Sequence, residues 1–338
     1  MKILMIAPPK GGIDVYVKSL SSKLQECGIS VDIKGSRLDE QPYDPKGNEW
    51  NNSSQVRKTA LGICKRIDFD NYDIVAFHYG KNDIEQYFPV VLKQKKIKIK
   101  KSVYFTHFLS QNLFSSYLKD QKSQDEIKKE VCEFYDGYVF FGTFARKYLK
   151  LDKKSKIPSC IVPLPETHSL NTFSKLERKS MEELFCKGYQ IDYKNIIYLS
   201  GFQANYKDYS MLLDSIKLLQ NKLLFVIAGQ GWEKKLGFKN CKINNSQVVV
   251  IDKYLSPTEC LFLASQTLFG IFPYRNIVAN EQFQGSGTLP NYIYNNKACI
   301  VFNEGSLPED IEKAGIVINN PTPQKLARAI KKMLNSKL

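Results

Sequence analysis

Short apolar runs alternate with segments of helical spacing along the whole chain, and this alternation limits the fold more than any other feature. The first half opens with the strand-like run Lys2–Ala7, and the second half restarts the same rhythm at Asn195–Leu199. Repeats of strand and helix build parallel sheets with helices on both faces. Because 338 residues exceed what one ordinary core holds, the sequence predicts two such α/β domains.

The boundary between the domains is expected in a polar stretch that contains few strand-like runs. Residues 166–189 form this predicted linker, which includes a helix near Glu177–Lys187. The amino-terminal domain then covers residues 1–165, and the carboxy-terminal domain covers residues 190–338. Gly11 and Gly12 are interpreted as the turn that follows the first strand.

The chain is strongly basic, with 49 Lys and Arg residues against 34 Asp and Glu residues and a net charge of +15. Such a balance favours an anionic partner, whether a nucleic acid, a membrane surface or a phosphorylated small molecule, without choosing among them. The densest basic run is Lys93–Lys101. Its pattern fits either a solvated strand edge, where lysines discourage aberrant pairing, or a patch that contacts anionic lipid.

Eight cysteines are scattered along the chain without a CxxC pair, and no secretory signal opens it. These features predict reduced thiols in a cytoplasmic protein. No uncharged apolar run reaches the roughly 18 residues that a membrane span needs. With three histidines in all and no zinc-type spacing, we expect no metal site.

The stretch Pro273–Asn303 carries the clearest candidate for a binding motif. It follows the apolar run Thr267–Phe272 and contains Gly285-Ser286-Gly287-Thr288 just before a segment that is predicted to be helical from Leu289. Free backbone N–H groups at a helix start attract anions, and glycine lets a phosphate approach closely. The alternative is an ordinary loop in which Ser286 or Thr288 caps the helix, and both roles can hold at once.

Several motifs occur in a recognisable order along nearly the whole chain. They are Gly11-Gly12 after the first strand, His107 at a strand end, Lys207 after the turn Ser200-Gly201, the run Phe225–Gly231 (FVIAGQG) and the stretch Pro273–Asn303. Together they resemble the GT-B nucleotide-sugar-dependent glycosyltransferases, specifically the retaining group GT4. The resemblance implies two Rossmann-like domains facing a cleft, with donor binding mainly in the second domain and acceptor binding mainly in the first.

The resemblance also implies roles for three catalytic candidates, His107, Lys207 and Glu281. A lysine ammonium beside the β-phosphate of the donor stabilises the charge that develops on the leaving group without a metal ion. His107 would hydrogen-bond a hydroxyl of the transferred sugar or the reacting centre. The family's usual acidic pair falls near Phe283 and Asn291, neither of which is acidic, and Glu281 is the carboxylate nearest to them.

The other candidates lie at predicted strand ends and turns. Tyr254 is either a residue that stacks on the nucleotide base or a core aromatic. Arg275 is a candidate phosphate ligand, since a guanidinium binds phosphate with two hydrogen bonds. For His78 and His107, the alternative is a strand-end histidine whose hydrogen bonds are made by backbone groups. The predicted donor-binding set is Gly12, Gly201, Lys207, Gly229, Tyr254, Arg275, Ser286, Gly287 and Thr288. The predicted acceptor-binding set is Gly11, His78 and Thr143.

The function that the resemblance implies is transfer of a hexose or N-acetylhexosamine, with retention, from a UDP- or GDP-linked donor. The acceptor would be a hydroxyl of a saccharide or a polyprenyl- or lipid-linked molecule in cell-surface polysaccharide or glycolipid assembly. We expect no cofactor, no metal, no nucleic acid, and peripheral contact with the inner face of an anionic membrane. The alternatives are a nucleotide-sugar 2-epimerase, a non-enzymatic nucleic-acid-binding protein and a catalytically silent GT-B subunit.

Overall fold

The computed structural model describes most of the chain, in two compact units that each contain a hydrophobic core. One unit lies within Met1–Pro163, and the other lies within Leu164–Ala279 and Gly285–Leu338. The described residues are 1–37, 53–80, 83–107, 133–149, 157–162, 174–189, 195–201, 203–204, 206–233, 237, 239–275 and 285–336. Two segments whose sequences predict helices, Phe108–Leu118 and Gln124–Glu133, lie outside them, apart from Glu133.

The first unit is built on a parallel sheet of six strands in the order β2-β1-β3-β4-β5-β6. Its strands are β1 (Lys2–Ile6), β2 (Ser30–Lys34), β3 (Ile74–His78), β4 (Ser102–Phe105), β5 (Gly137–Phe140) and β6 (Ser159–Ile161). Its helices are α1 (Gly11–Glu26), α2 (Ser53–Cys64), α3 (Phe88–Gln94) and α4 (Thr143–Leu149), with short 3-10 turns at Phe69–Asn71 and Ile84–Tyr87. Helices cover the sheet, so its central strands read as continuous apolar runs.

The start of α1 differs from the prediction. The helix begins at Gly11, so Gly11 and Gly12 form its first turn and not a separate turn before it. Gly11 has a φ of 84°, which favours glycine because other residues meet steric conflict there. The apolar residues Val15, Leu20 and Leu24 predict the body of this helix, but its start was not predicted because its first two residues are glycines without side chains.

The basic run Lys93–Lys101 does not lie on a strand edge, so that interpretation was wrong. The run covers the end of α3 and the loop that enters β4, and β4 is an interior strand between β3 and β5. Ile97 and Ile99 pack against the core while the lysines around them are exposed. Lys93 pairs with Glu133 at 3.3 Å and Lys100 pairs with Asp73 at 3.4 Å, so part of this charge is compensated locally.

The second unit repeats the strand-and-helix rhythm. Its strands are β7 (Ile196–Ser200), β8 (Leu224–Ala228), β9 (Cys241–Ile243), β10 (Ser246–Ile251), β11 (Gly270–Phe272), β12 (Cys299–Phe302) and β13 (Gly315–Ile318). Its helices are α5 (Lys175–Glu182), α6 (Tyr209–Ile216), α7 (Pro257–Gln266), α8 (Leu289–Ile293), α9 (Leu307–Ile311) and α10 (Pro323–Asn335), with a wider helical turn at Glu183–Gly188 after α5.

The strands of this unit form two sheets, a four-stranded sheet in the order β7-β8-β10-β9 and a three-stranded sheet in the order β11-β12-β13. They meet where the Leu268 N–H donates to the Ile196 carbonyl oxygen at 2.9 Å. All pairings are parallel except that of β9 with β10, and β9 was not predicted because its sequence is short and mostly exposed. The α/β class with parallel sheets in two units is confirmed.

The segment assigned to a linker packs in part on the second unit. A capping box at Ser174 and Glu177 starts α5, and Phe185 in the turn after it is fully buried. The Phe185 ring stacks on Phe262 of α7 with centroids 6.0 Å apart. The described residues 174–189 therefore pack on the second unit through Phe185, a contact that the polar composition of α5 concealed.

Candidate active-site residues in each unit

Lys207 lies buried near the carboxyl end of β7, where open parallel sheets bind their ligands. Its side chain keeps only 7% of its accessible surface, and its Nζ donates to the Ser200 carbonyl oxygen at 3.2 Å. The Nζ atom lies 5.4 Å from the centre of the Tyr274 ring and 6.0 Å from the Trp232 ring. Burial lowers the pKa of Lys207 from 10.5 to about 7, because desolvation disfavours the charged ammonium.

The local fold around Lys207 is fixed from several sides. Lys207 forms a backbone bridge with Tyr274, and the Asp208 N–H donates to the Pro273 carbonyl oxygen at 2.8 Å. The Asp208 carboxylate caps α6 by accepting the N–H of Met211 at 3.0 Å. A cap of this kind satisfies a helix N–H that has no partner within the helix. The segment that carries the lysine is thus attached to both the β11 end and the α6 start.

The Ser286–Thr288 corner meets Lys207 at Tyr274. The Ser286 and Thr288 hydroxyls lie 3.0 Å apart, and both oppose the rise that burial causes in the pKa of Tyr274, as polar groups near its hydroxyl do. Since the Lys207 ammonium lies near the ring of the same tyrosine, one buried aromatic residue links the cation and the two hydroxyls. The structure therefore brings together Lys207, Ser286 and Thr288, as an anion site in this unit would require.

The alternative role predicted for Ser286 or Thr288, capping the helix that follows, is not supported. Thr288 precedes α8 without a side-chain cap hydrogen bond, and the Ser286 Oγ accepts the N–H of Thr288 at 3.4 Å. Neither hydroxyl reaches the amides of α8 itself. A Cβ added at Gly287 would meet no atom within 4 Å, so this glycine leaves open space beside the two hydroxyls.

The glycines at the other strand ends do not offer their amides to a ligand. The Gly201 N–H donates to the Ala228 carbonyl oxygen and the Gly229 N–H donates to the Ile251 carbonyl oxygen, both at 3.0 Å. The Gly231 N–H is bound by the Asp252 carboxylate at 2.5 Å. Gly201 leaves the space that the Lys207 ammonium occupies, because a Cβ at position 201 would lie 2.4 Å from the Lys207 Nζ.

Replacing Gly201 with alanine is expected to destabilise the protein by about 1–3 kcal/mol. The residue has a φ of +103°, which L side chains rarely adopt, and the new Cβ would displace the Lys207 ammonium. Thermal unfolding measures the effect, with Gly287→Ala as the control because Gly287 has no positive φ and open space around its Cβ position. Equal melting temperatures for the two variants would contradict this account of Gly201.

Two further donor candidates occupy the surface of the second unit. The Arg275 guanidinium, 42% exposed, pairs with the Asp208 carboxylate at 3.0 Å, so an existing ion pair orients it. Tyr254 is 69% exposed, which shows that its interpretation as a core aromatic was wrong. The exposed ring remains a predicted stacking residue for a nucleotide base.

In the first unit, the structure brings His78 and His107 together. The Nδ1 of His78, the last residue of β3, lies 3.0 Å from the Nε2 of His107, two residues beyond the end of β4. His78 has no accessible surface, so the direct acceptor contact that was predicted for it is not supported, whereas His107 remains partly exposed. Burial lowers the pKa of His107 to about 3 and that of His78 well below its usual range.

The remaining candidates are spread over both units. Gly11, Gly12 and Thr143 are exposed, and Thr143 is the first residue of α4. Glu281 lies outside the described residues, so the structure gives it no position. Asn291, at one of the positions where the family usually has an acid, is buried to 8% exposure, and its Oδ1 has no hydrogen-bond partner.

Sequence reasoning missed two buried residues, Tyr274 and Glu85, of which Tyr274 lies near the candidate Lys207. Tyr274 lies near Lys207 and has its pKa influenced by Ser286 and Thr288, and its one sequence signal was its position two residues after the end of β11. Glu85 is fully buried, accepts two hydrogen bonds from Ser36 at 2.7 Å, and has its pKa raised to about 7 by burial. A single Glu in a polar stretch carries no sequence pattern that predicts such burial.

In the part of the chain that the structure describes, no group of three or more His, Cys, Asp or Glu side chains is arranged to hold a metal ion. None of the helices within the described ranges is both long enough and apolar enough to cross a bilayer. Every cysteine in those ranges is a free thiol.

Comparisons with known proteins give a family match for the second unit and similar folds for the whole chain. Residues 193–336 match the family model described as "Glycosyl transferases group 1". No curated protein matches the chain significantly. Among solved structures, the sucrose-phosphate synthase of Thermosynechococcus elongatus superposes with a TM-score of 0.67 at 14% identity, covering 99% of this chain and 90% of that one.

Two other similar structures contain nucleotide sugars. HepE of Anabaena in complex with UDP-glucose gives a TM-score of 0.61 at 12% identity, with 99% of this chain and 90% of that chain covered. A structure titled "Trehalose-6-phosphate from E. coli bound with UDP-2-fluoro glucose" gives 0.62 at 11% identity, with 100% and 92% covered. The chain therefore has the GT-B fold with two Rossmann-like units. The match to the group 1 model covers residues 193–336, so the second unit is similar to a glycosyltransferase domain.

Proposed function

We propose that this glycosyltransferase moves a hexose or N-acetylhexosamine from a UDP-linked donor to a hydroxyl of a saccharide or lipid-linked acceptor. The reaction proceeds with retention at the anomeric carbon, as in the GT4 group that the sequence resembles. The donor diphosphate is bound by Lys207 with Ser286, Gly287 and Thr288. His107 of the first unit contacts the transferred sugar. The process served is the assembly of a cell-surface polysaccharide or glycolipid.

The observation that carries this proposal is the cluster of Lys207, Tyr274, Ser286 and Thr288. A buried ammonium whose pKa has fallen to about 7 gains solvation-like stabilisation when a diphosphate supplies negative charge beside it. The two hydroxyls 3.0 Å apart add hydrogen-bond donors for the same oxygens. As the sugar departs, the charge that develops on the β-phosphate is stabilised by the same groups without a metal ion.

The preference for a UDP-linked sugar rests on the ligands of similar structures. HepE was solved with UDP-glucose, and MnaA of S. aureus, which has a TM-score of 0.61 at 13% identity, was solved with UDP. At such identities the likeness supports the shape of the fold, and the choice of nucleotide is carried over as part of the proposal. UDP and UDP-glucose are therefore the first probes to use.

The second part of the proposal is that the protein binds peripherally to anionic lipids at the inner face of the cytoplasmic membrane. It is supported by the net charge of +15 and by the exposed lysines of the run Lys93–Lys101. Clusters of this kind bind anionic lipid with about 1 kcal/mol per basic residue near the surface. Co-sedimentation with phosphatidylserine vesicles at low salt, compared with phosphatidylcholine vesicles, tests it, and equal recovery from both would contradict it.

The donor site is tested by thermal shift with UDP and UMP. At about 100 times its dissociation constant, UDP is expected to add roughly 2.7 kcal/mol to the free energy of unfolding. UMP lacks the β-phosphate that the Lys207 cluster would bind, so its shift at the same concentration should be clearly smaller. Equal shifts for the two nucleotides would contradict a diphosphate site.

The reaction is tested by incubating the protein with UDP-glucose alone and following the sugar by NMR. Slow release of UDP with glucose that first appears as the α-anomer supports a retaining glycosyltransferase that uses water as a poor acceptor. A UDP-sugar inverted at C2 would instead identify the epimerase alternative. Mutarotation is slow enough to follow if early time points are recorded.

A further inference from the structure

The contact between His78 and His107 carries more chemical information than either residue alone. A 3.0 Å separation between two ring nitrogens means that one of them donates a proton and the other accepts it. The pair is enclosed by uncharged rings: His78 stacks on Phe105 at 4.2 Å, while Tyr16 and Phe141 approach His107 at 5.0 and 4.8 Å. Burial lowers the pKa of both histidines, so both are neutral near pH 7.

Two arrangements of the protons remain, and they differ in what they leave on the other side of His78. If His107 donates, His78 must carry its own proton on Nε2, and that N–H is buried without a hydrogen-bond partner. If His78 donates from Nδ1, its Nε2 is a buried lone pair. A buried N–H without a partner is the rarer and costlier of the two, so the second arrangement is favoured.

The position of the proton on His78 determines which ring nitrogen of His107 is protonated. Once the Nε2 of His107 accepts the proton of His78, a neutral His107 must carry its own proton on Nδ1. The hydrogen bond with His78 is the one contact that the His107 ring makes to a described residue through its nitrogens. Its Nδ1–H is thus left to serve as a hydrogen-bond donor, and the ring has no lone pair available to act as a base.

We propose that His78 is a positioning residue that fixes His107 as the Nδ1–H tautomer, so that His107 offers the transferred sugar a hydrogen-bond donor and not a general base. The part that concerns the sugar rests on the proposed function. The part that concerns the tautomer depends only on the first unit. A donor at this place would bind a hydroxyl or ring oxygen of the sugar and would not remove a proton from the acceptor.

Nitrogen-15 NMR of the histidine-labelled full chain at pH 7 tests the tautomer without any substrate. The three histidines of the chain can be assigned by replacing His107 and His168 one at a time. The expected result is a protonated Nδ1 and an unprotonated Nε2 at both His78 and His107. A protonated Nε2 at His107 would overturn the proposal.

Variants of His78 test its positioning role. His78→Leu removes the donor, so His107 should change to the Nε2–H form or a mixture, and the rate of UDP release from UDP-glucose should fall about tenfold, the loss of one hydrogen bond. The KM for UDP-glucose should stay unchanged. His78→Asn places an amide N–H near the former Nδ1 and should retain both the tautomer and most of the rate.

The outcomes separate the inference from the function. An unchanged His107 tautomer in His78→Leu, or failure of His78→Asn to retain it, would overturn the positioning role. The expected tautomers in a wild-type protein that neither binds UDP nor consumes UDP-glucose would support the inference and count against the proposed function. Because the wild-type spectrum tests the tautomer directly, the test does not depend on the folding of a variant.

Discussion

Lys207→Met is expected to yield a protein that is more stable than the wild type and binds UDP about 10- to 100-fold more weakly. The lost affinity corresponds to one charge-assisted hydrogen bond to phosphate, about 1.5–3 kcal/mol. The gain in stability arises because a thioether of similar length replaces a desolvated ammonium, whose burial costs on the order of a few kcal/mol. Lys207 is therefore expected to lower the stability of the folded protein and to raise its affinity for UDP.

The gain in stability has a defined dependence on pH. The pKa of Lys207 is lowered on folding from 10.5 to about 7, so the unfolded chain binds more protons between these values and the wild type becomes more stable as pH rises through that window. The advantage of Lys207→Met should therefore be largest at or below pH 7 and vanish towards pH 10.5.

Thermal unfolding at several pH values and calorimetry with UDP measure the two effects. Lys222→Met is the matched control, because Lys222 is exposed and should alter neither quantity. A unit of this size should gain about 2–4 °C for each kcal/mol. A Lys207→Met protein that melts below the wild type at pH 7 would contradict the burial argument, and one that binds UDP normally would contradict the diphosphate site.

The affinity of the wild-type protein for UDP is expected to fall as pH rises above about 7. Lys207 is about half protonated near pH 7 in the free protein, and the diphosphate binds the protonated form. Binding then requires proton uptake, so the apparent dissociation constant should rise up to tenfold for each pH unit until the pKa of the complex is reached. Titration calorimetry in buffers of different ionisation enthalpy measures both the constant and the number of protons taken up.

Lys207→Met provides the control for this dependence, since it carries no titrating group at the site. Its weaker binding should stay nearly constant between pH 7 and pH 9. A wild-type affinity that stays level over the same range, with no proton uptake, would show that Lys207 is already charged in the free protein or does not contact the diphosphate.

The sequence predicted the fold well because the alternation of strands and helices is repeated many times. The prediction missed β9 and the start of α1, where the local sequence signal was weak. The strand β9 is short and mostly exposed, and α1 begins with two glycines, which have no side chain to pack on the sheet. In the predicted linker, one buried side chain, Phe185, contacts Phe262 of the second unit, a contact that the sequence did not predict. Such contacts depend on tertiary neighbours that no local pattern encodes.

The candidate site could be predicted in part. Lys207 and the Ser286–Thr288 corner were found from their order along the chain, and the structure places both at Tyr274. The roles of Gly201 and Gly229 could not be foreseen, because the hydrogen bonds that occupy their amides come from neighbouring strands. Nor could the pairing of His78 with His107, since residues 29 positions apart meet only through the register of β3 with β4.

A crystal structure of the protein with UDP tests the central claim most directly. We predict that the Lys207 Nζ leaves the Ser200 carbonyl oxygen and lies about 2.7–2.9 Å from a β-phosphate oxygen, with the Ser286 or Thr288 hydroxyl bound to the same diphosphate. A diphosphate bound elsewhere, with the Lys207 Nζ still on Ser200, would contradict it.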